Sequence, residues 1–291
     1  MPKQTVLVTG ATGFTGDHAI KKLKQNYHVI GISRSANPNM LRVDLSDQYA
    51  VNEMMAKTMP DMILHLAGQN HVQQSWEEPV STFEINVLAT LYLLEAARKH
   101  VPNCRIVVVG SALQAKKAYP HPYSFSKSLQ ANLAKAWGDL YGMQIILAVP
   151  CNLIGPGPST GVCSAIATQL INEKNRDKQI QLSNAFATRD YLDVRDAVRA
   201  YQMLLEYGEV GIAYEIGSGC YRTLEEVIAE FQKLIAYPIN ASYLERKKEQ
   251  GSLNSSIKMN NLGWKPNISF ETSLRDMMEY AKKSYKKRGR V

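Results

Sequence analysis

Thr9-Gly10-Ala11-Thr12-Gly13-Phe14-Thr15-Gly16 is the stretch on which the reading of this chain turns. Before it, Thr5-Val6-Leu7-Val8 is a short apolar, β-branched run that reads as a buried strand. After it, Asp17 to Lys24 is amphipathic and reads as a helix. Strand, glycine turn and helix form the first unit of a dinucleotide-binding sheet. Backbone amides at such a helix start hold a pyrophosphate, and the glycines let it come close. A bare glycine triplet is a weak signal; directly after a strand near residue 1 it is a strong one.

Outward from the turn, Val29 to Ser33 reads as the second strand, with Arg34 and Ser35 at its exit. An NAD-selective site usually carries an acid there. A guanidinium flanked by Ser33 and Ser35 suits a 2′-phosphate instead, so NADP(H) is favoured over NAD(H). An ordinary surface arginine is the competing reading. Leu41 to Leu45 reads as a third strand, with Asp44 either bonding adenine or closing a turn. Met62 to Gly68 reads as a fourth strand whose small C-terminal residues admit a cofactor close to the backbone. The cofactor set on this reading is Gly10, Thr12, Gly13, Phe14, Thr15, Gly16, Ser33, Arg34, Ser35, Asp44, Leu45, Leu66, Ala67, Gly68, Lys127 and Pro150. Gln69 to Pro79 reads as a loop facing the active site, with Gln69 assigned to substrate. Ser81 to His100 reads as one long helix, Cys104 to Val109 as the fifth strand and Gln144 to Pro150 as the sixth. Beyond Pro150 the pattern changes to a Gly/Pro-rich loop and shorter elements. This gives an α/β, doubly wound Rossmann-type parallel sheet. Residues 1–150 form the cofactor domain, and 151–291 form mainly a smaller substrate-binding lid with excursions back to the sheet.

The 291 residues, 45% of them hydrophobic, are enough for a sizeable core. Cys104, Cys151, Cys163 and Cys220 form no C-x-x-C pair and no Cys/His cluster, so free thiols and no metal site are expected. No signal peptide and no apolar run of membrane-spanning length are read, giving a cytoplasmic protein. The net charge is +8, much of it in the tail from Lys282 to Arg290. Such a run reads as a solvated terminus, and it is not interleaved with aromatics as a nucleic-acid surface would be.

Tyr123 and Lys127 are four residues apart, on one face of a helix. An ammonium near a phenol lowers its pKa and fits it to exchange a proton with a carbonyl or alcohol. Ser111, at the preceding strand end, offers a second hydrogen bond to the same oxygen. A Tyr-x-x-x-Lys alone is common. With the glycine turn and the strand-end serine in this order it becomes a specific constellation.

On these residues the chain resembles the extended short-chain dehydrogenase/reductases that act on nucleotide sugars, the NAD-dependent epimerase/dehydratase family. The resemblance covers nearly the whole chain. It includes His65-Leu66-Ala67, Asn86-Val87, Gly110-Ser111, Asn152 to Gly157, Arg189-Asp190-Tyr191-x-Asp193-Val194-Arg195-Asp196 and Leu262 to Pro266. Within the family the GDP-6-deoxy-4-keto-D-mannose reductases are most similar. The resemblance implies that Tyr123 is the acid, that Lys127 binds the nicotinamide ribose and that Ser111 orients the keto group. It also implies Asn152 in the substrate site, Arg189 near the nucleotide diphosphate, and a homodimer in which the helices over 81–100 and 123–141 form a four-helix bundle.

The relatives' chemistry separates further. A 4,6-dehydratase needs a carboxylate pair after the serine or threonine, but Ser111 is followed by Ala112-Leu113-Gln114. An epimerising reductase needs a cysteine where Leu113 stands. A 4-epimerase usually has an acid where Arg34 stands. What remains is NADPH-dependent reduction of a 4-keto-6-deoxy nucleotide sugar; an epimerase or dehydratase with tightly bound NAD, and a non-catalytic NADP-binding scaffold, are the rivals. Two segments depart from the family. Ser111 to Tyr123 is short, and the region from Arg246 to Gly251 lacks the usual diphosphate clamp, for which Arg246, Lys247 or Lys248 are candidates.

Overall fold

A computed structural model describes residues 3–114, 119–172, 179–247, 249–250 and 255–288. The chain folds into two compact units. The first comprises Met1–Pro150, Val198–Glu215 and Lys258–Trp264; the second comprises Cys151–Ala197, Ile216–Ile257 and Lys265–Val291.

The first unit is built on a seven-stranded sheet. Its strands are β1 (Thr5–Thr9), β2 (His28–Ser33), β3 (Leu41–Arg42), β4 (Met62–His65), β5 (Arg105–Val109), β6 (Ile145–Pro150) and β10 (Ala213–Ile216), in the order β10-β6-β5-β4-β1-β2-β3. The pairings from β3 through to β6 are all parallel, in registers such as Val6↔Met62 and Val6↔Val29. Parallel strands covered on both faces read as continuous apolar runs, as Ile106-Val107-Val108 does. One face packs Leu7, Ile63, Ile106 and Val108 against Met54 and Met55 of α2 (Gln48–Thr58) and Leu93 and Leu94 of α5 (Ala89–His100). Alternate residues Val6 and Val8 are also fully buried, on the opposite side as the two-residue strand period requires. The order of strands reverses between β1 and β4. That is the switch point outside which open α/β sheets bind ligands.

Five local expectations differ from the structure. α1 (Phe14–Leu23) starts three residues earlier than its amphipathic pattern, because Gly13 is its N-cap. The third strand ends at Arg42, since Asp44 turns the chain by accepting from the Ser46 amide at 3.0 Å and its hydroxyl at 2.8 Å. The segment read as one helix over 81–100 is three pieces: α4 (Pro79–Phe83), a π-turn at Glu84–Leu88, and α5. A further short helix, α3 (Val72–Glu77), lies inside the stretch read as a loop. Among the described residues, Pro79–His100 is also long and apolar enough to cross a membrane, contrary to the sequence reading. Its interruption by the π-turn and the burial of Leu93, Leu94, Ala96 and Ala97 in the sheet core make it a core helix.

The second unit contains β7 (Asn152–Ile154), α7 (Val162–Ile171), β8 (Ile180–Asn184), β9 (Ala187–Asp193), β11 (Tyr221–Arg222), α9 (Leu224–Gln232), β12 (Ala241–Glu245), β13 (Glu249–Gln250) and α11 (Phe270–Arg288). β9 pairs with β7, β11 and β13, while β8 pairs with β12. Its own core gathers Ile166, Leu170, Tyr191, Val227, Phe231, Phe270 and Leu274. α8 (Val194–Tyr207) and α10 (Ile257–Asn261) begin in the second unit and lie mostly in the first. α9 begins with a capping box, in which Thr223 accepts from the Glu226 amide at 3.1 Å and Glu226 accepts from the Thr223 amide at 2.7 Å. A cap of this kind contributes about 1 kcal/mol.

Candidate active site

The glycine turn is held rigidly at the switch point. Gly10 has φ +66°, which glycine alone adopts freely, and a side chain there would meet the Ala67 amide at 2.8 Å. At Gly16 a Cβ would lie 2.1 Å from the Gly10 carbonyl oxygen, so α1 can begin this close to β1 only without one. The turn also docks on the second strand. The Ala11 amide donates to the Ile32 carbonyl at 3.1 Å, and the Thr12 and Ser33 hydroxyls are 3.4 Å apart. Gly13 caps α1 with no side-chain hydrogen bond. The amides of Phe14, Thr15 and Gly16 therefore lie in a first turn that lacks a side-chain cap, where an anion is favoured.

Gly68 is exposed just beyond β4. A Cβ there would fall 3.0 Å from Asn86 Oδ1 and 3.4 Å from Lys127 Nζ. The glycine thus keeps clear the space beside the ammonium, a cradle that any side chain would fill. With the uncapped start of α1, this fits a dinucleotide lying along the ends of β1 and β4. Arg34 and Ser35 are exposed after β2, whereas Ser33 is buried and its hydroxyl accepts from the Ser35 amide at 3.2 Å. The Arg34 charge helps to hold the Asp44 carboxyl below its usual range, behind the larger effect of the two Ser46 bonds. Leu45 is buried in the core, and the Leu66 and Ala67 amides both donate to Thr9 Oγ1 at 3.1 Å. The Pro150 carbonyl accepts from the Ala112 amide at 3.0 Å, tying the end of β6 to the residue after Ser111.

α6 (Pro122–Tyr141) carries the tyrosine and lysine. Pro122 sits in its first turn, and His121 Nδ1 accepts from the Ser124 amide at 2.9 Å, so the helix is capped one turn from the chemistry. The Tyr123 amide donates to Ser75 Oγ of α3 at 3.1 Å, which fixes the first turn laterally. Ser111 is a hydrogen-bonding neighbour of the Tyr123 side chain, and both are buried. Lys127 Nζ donates to the Val109 carbonyl at 3.1 Å and to Gln130 Oε1 at 2.8 Å. Thus β5 and α6 bring Ser111, Tyr123 and Lys127 together.

The electrostatics differ from the sequence expectation in one respect. Burial raises the Tyr123 phenol above its ordinary value, the Ser111 bond only partly offsets this, and Lys127 makes no contribution. The physical reason is the depth of burial around the phenol, which outweighs what helical spacing alone suggests, while the ammonium bonds to Val109 and Gln130. Burial also lowers Lys127 to about 8.

Gln69 is used differently from its expected substrate role. Its Nε2 donates to the His71 carbonyl and its Oε1 accepts from the His71 amide, each at 2.9 Å, so the side chain braces its own loop. The Gln69 backbone is in turn clamped by Asn86, whose Oδ1 accepts at 2.8 Å and whose Nδ2 donates at 3.0 Å. Asn86 also donates to Ser126 Oγ at 2.9 Å. It reaches inward from the π-turn, a local geometry with no strong sequence signature.

Within the second unit, Asn152 Nδ2 donates to the Asp190 carbonyl at 3.0 Å. Asp190 is buried and gathers the Ser218 amide at 3.1 Å, the Ser218 hydroxyl at 2.6 Å and the Gly219 amide at 3.1 Å. Burial, then the Asp190 charge, pushes the neighbouring Cys151 thiol far up, which makes it inert as a nucleophile. Arg189 Nη1 donates to the Thr188 carbonyl at 2.9 Å. Arg222 of β11 is its direct cross-strand partner, a second guanidinium that the sequence did not single out. Arg246 is instead occupied with Glu225 at 3.4 Å and with the rings of Tyr243 and Phe186, while Lys247 pairs with Glu245 at 3.5 Å. Lys248 and Gly251 lie outside the described residues, as does the tail beyond Arg288.

A model of the NAD dependent epimerase/dehydratase family matches residues 6–217. The chain belongs to that family. The family match spans the glycine turn, Ser111, Tyr123, Lys127 and Arg189 alike. Among curated relatives, the chain is 29% identical to GDP-6-deoxy-D-mannose reductase of Pseudomonas aeruginosa, over 94% of this chain and 96% of the relative. It is 26% identical to dTDP-glucose 4,6-dehydratase of Haemophilus influenzae, over 94% and 97%. Among solved structures it is similar to that of RMD from Pseudomonas aeruginosa complexed with NADPH, with a TM-score of 0.83 and 27% identity over 97% of this chain and 99% of that one. The Rossmann-type sheet is thus common to this member of the family and its solved relative.

Proposed function

We propose that this protein reduces the C4 keto group of a nucleotide-linked 4-keto-6-deoxyhexose, drawing on NADPH. One observation carries the reading: Ser111, Tyr123 and Lys127 are gathered at the end of β5, and the residues that follow the serine are Ala112, Leu113 and Gln114. That set can protonate a reduced carbonyl oxygen. It lacks the carboxylate a dehydratase would use and the cysteine an epimerising reductase would use at that place. The similarity to GDP-6-deoxy-D-mannose reductase, and to a structure holding NADPH, supports the same reading.

The chain's own groups divide the work as follows. The uncapped amides of Phe14, Thr15 and Gly16 bind the pyrophosphate, with the glycines admitting it. Arg34 and Ser35 receive the 2′-phosphate. Lys127 Nζ has a third N–H beyond its bonds to Val109 and Gln130, and offers it to the ribose. A bound nicotinamide dinucleotide supplies the hydride. Ser111 and Tyr123 both donate to the substrate's keto oxygen, and Tyr123 passes its proton to that oxygen as charge develops there. Its raised pKa keeps the phenol protonated at neutral pH, as an acid in the reductive direction must be. In the second unit, Arg189 and Arg222 are the groups offered to the diphosphate.

The same reading includes a homodimer. Val80 of α4, Leu88 of the π-turn, and Phe125, Leu140 and Tyr141 of α6 are exposed apolar side chains on the helices expected to form a bundle. Light scattering that detected only monomers would remove the dimer.

The deciding experiment offers purified protein a panel of GDP-, UDP-, dTDP- and CDP-linked 4-keto-6-deoxy sugars, following NADPH oxidation and product NMR. NADPH-dependent appearance of a C4 alcohol is expected with at least one of them. Inversion of a nucleotide-linked 4-hydroxy sugar at C4 without added NADPH, on NAD that copurifies, would replace the reductase by an epimerase.

A further inference from the structure

A buried string of side chains runs from the end of β1 to Lys127. Thr9 Oγ1 lies 2.8 Å from His65 Nδ1 and accepts from the Leu66 and Ala67 amides at 3.1 Å each. His65 Nε2 lies 2.9 Å from Thr90 Oγ1. Thr90 Oγ1 donates to the Asn86 carbonyl at 2.8 Å and accepts from Gln130 Nε2 at 2.9 Å. Gln130 Oε1 accepts from Lys127 Nζ at 2.8 Å. Thr9, His65, Thr90 and Gln130 have no exposed surface.

The string has only one consistent polarity. Thr90 has a single hydroxyl proton, and the Asn86 carbonyl takes it. The contact with His65 Nε2 must then be a ring N–H donating to Thr90, which saturates both lone pairs of the threonine. Nδ1 of the neutral ring is therefore an acceptor, and Thr9 donates to it. The Gln130 amide turns its NH2 to Thr90 and hence its oxygen to Lys127. Flipping that amide would aim N–H donors at an ammonium and leave an oxygen facing an oxygen. Each member thus dictates the next, from a β-strand to a helix.

We infer that Gln130 is a positioning residue for Lys127, held in orientation by Thr90 and His65, and that its neutral oxygen fixes the ammonium without cancelling its charge. The inference rests on the reading of Lys127 as an active-site lysine. A carboxylate at this place would hold Nζ equally well and would neutralise it. The titratable groups nearest Lys127 along its own helix and across the sheet are Tyr123, one turn earlier on α6, with no charge effect between the two, and His65 on β4, which burial keeps neutral and on which the Lys127 charge acts. Burial is the sole contributor to the lysine's own shift, and no carboxylate offsets it. The ammonium therefore keeps a third N–H and its full positive charge for what lies beside Gly68.

The test follows Lys127 itself, in full-length protein with lysine labelled at Cε, its NMR signal assigned by its absence in Lys127→Arg. The titration is run without substrate or cofactor. Thr90→Val keeps the shape and removes the hydroxyl that orients Gln130; it is expected to lower the Lys127 pKa by half a unit or more. Thr90→Ser is expected to restore it, and Gln130→Glu to raise it by at least one unit. Where reduction is measurable, Thr90→Val should lower kcat at least fivefold with KM for the sugar within twofold, and shift the pH profile in step with the titration. Unchanged Lys127 titration in folded Thr90→Val and Gln130→Glu would overturn the inference. Should Thr90→Val fail to fold, the Gln130→Glu shift decides alone. Because the titration needs no substrate, failure to reduce any sugar would strike the proposed reaction and not this role.

Discussion

Arg189 and Arg222 stand directly opposite each other across the antiparallel pair formed by β9 and β11. Like charges in that position weaken a strand pair by several tenths of a kcal/mol, roughly up to 1. Arg222 lies 4.3 Å from the centroid of the Phe270 ring, a contact that orients the guanidinium without satisfying its donors. A bound anion would turn the repulsion into a clamp. Arg222→Met is therefore expected to raise KM for the nucleotide sugar by about tenfold, the worth of one charge-assisted hydrogen bond, with kcat changed less than threefold. Steady-state kinetics checks this; an unaltered KM would remove Arg222 from the substrate site.

Tyr123→Phe removes one hydroxyl from a buried ring and leaves Ser111 and Lys127 in position. The loss of a positioned acid is expected to reduce kcat by about 10²–10⁴. NADPH affinity, followed by nicotinamide fluorescence, should stay within a factor of three. A variant that kept more than a tenth of wild-type turnover would show that another group delivers the proton.

Arg34 is exposed at the end of β2, with Asp44 close enough for their charges to interact. Replacing it by Asp takes away the cation for a 2′-phosphate and supplies an acceptor for a 2′-hydroxyl. KM for NADPH should rise by about 10- to 100-fold, as expected for hydrogen bonds between charged groups. KM for NADH should fall. Equal effects on both cofactors would mean that Arg34 contributes only general attraction.

His65 supplies a pH dependence of stability. Burial lowers its folded-state pKa to about 3, with a smaller effect of the Lys127 charge. Unfolded, it titrates near 6.5. A group depressed in the folded state contributes fully above the unfolded value. This contribution is lost as pH falls from about 6.5 towards 3, with a slope of up to ~1.4 kcal/mol per pH unit. Urea denaturation at several pH values should show this slope in wild type. His65→Phe should be less stable at pH 7, having lost both threonine partners, and shallower between pH 6 and 4. Equal slopes would assign the acid sensitivity to other groups.

Much of this could be read from the chain because it is locally written. A β-branched run, three glycines and an amphipathic helix follow one another within 20 residues, and Tyr123 and Lys127 need only helical spacing to share a face. What escaped depends on partners remote in sequence. Arg222 belongs to a two-residue strand whose meaning appears only when it is set against Arg189. Asn86 turns inward because the backbone makes a π-turn in the middle of an apolar helical pattern. Gln69 looks like a substrate ligand until the His71 main chain takes both ends of its amide. The direction of the Tyr123 shift is not legible in the sequence, because spacing reveals a nearby charge but not the depth of burial around it.

The edge strand β10 and the helix α10 rejoin the first unit only after the chain has traversed parts of the second. During synthesis, 150 residues leave the ribosome with the open edge of β6 bare, and that edge must wait for more than 60 further residues to be covered. A gene cut at Pro150 to obtain a free nucleotide-binding module would make this exposure permanent. Grafting a foreign second unit onto this sheet therefore requires splices at five boundaries, after residues 150, 197, 215, 257 and 264, because the two units are interleaved along the chain.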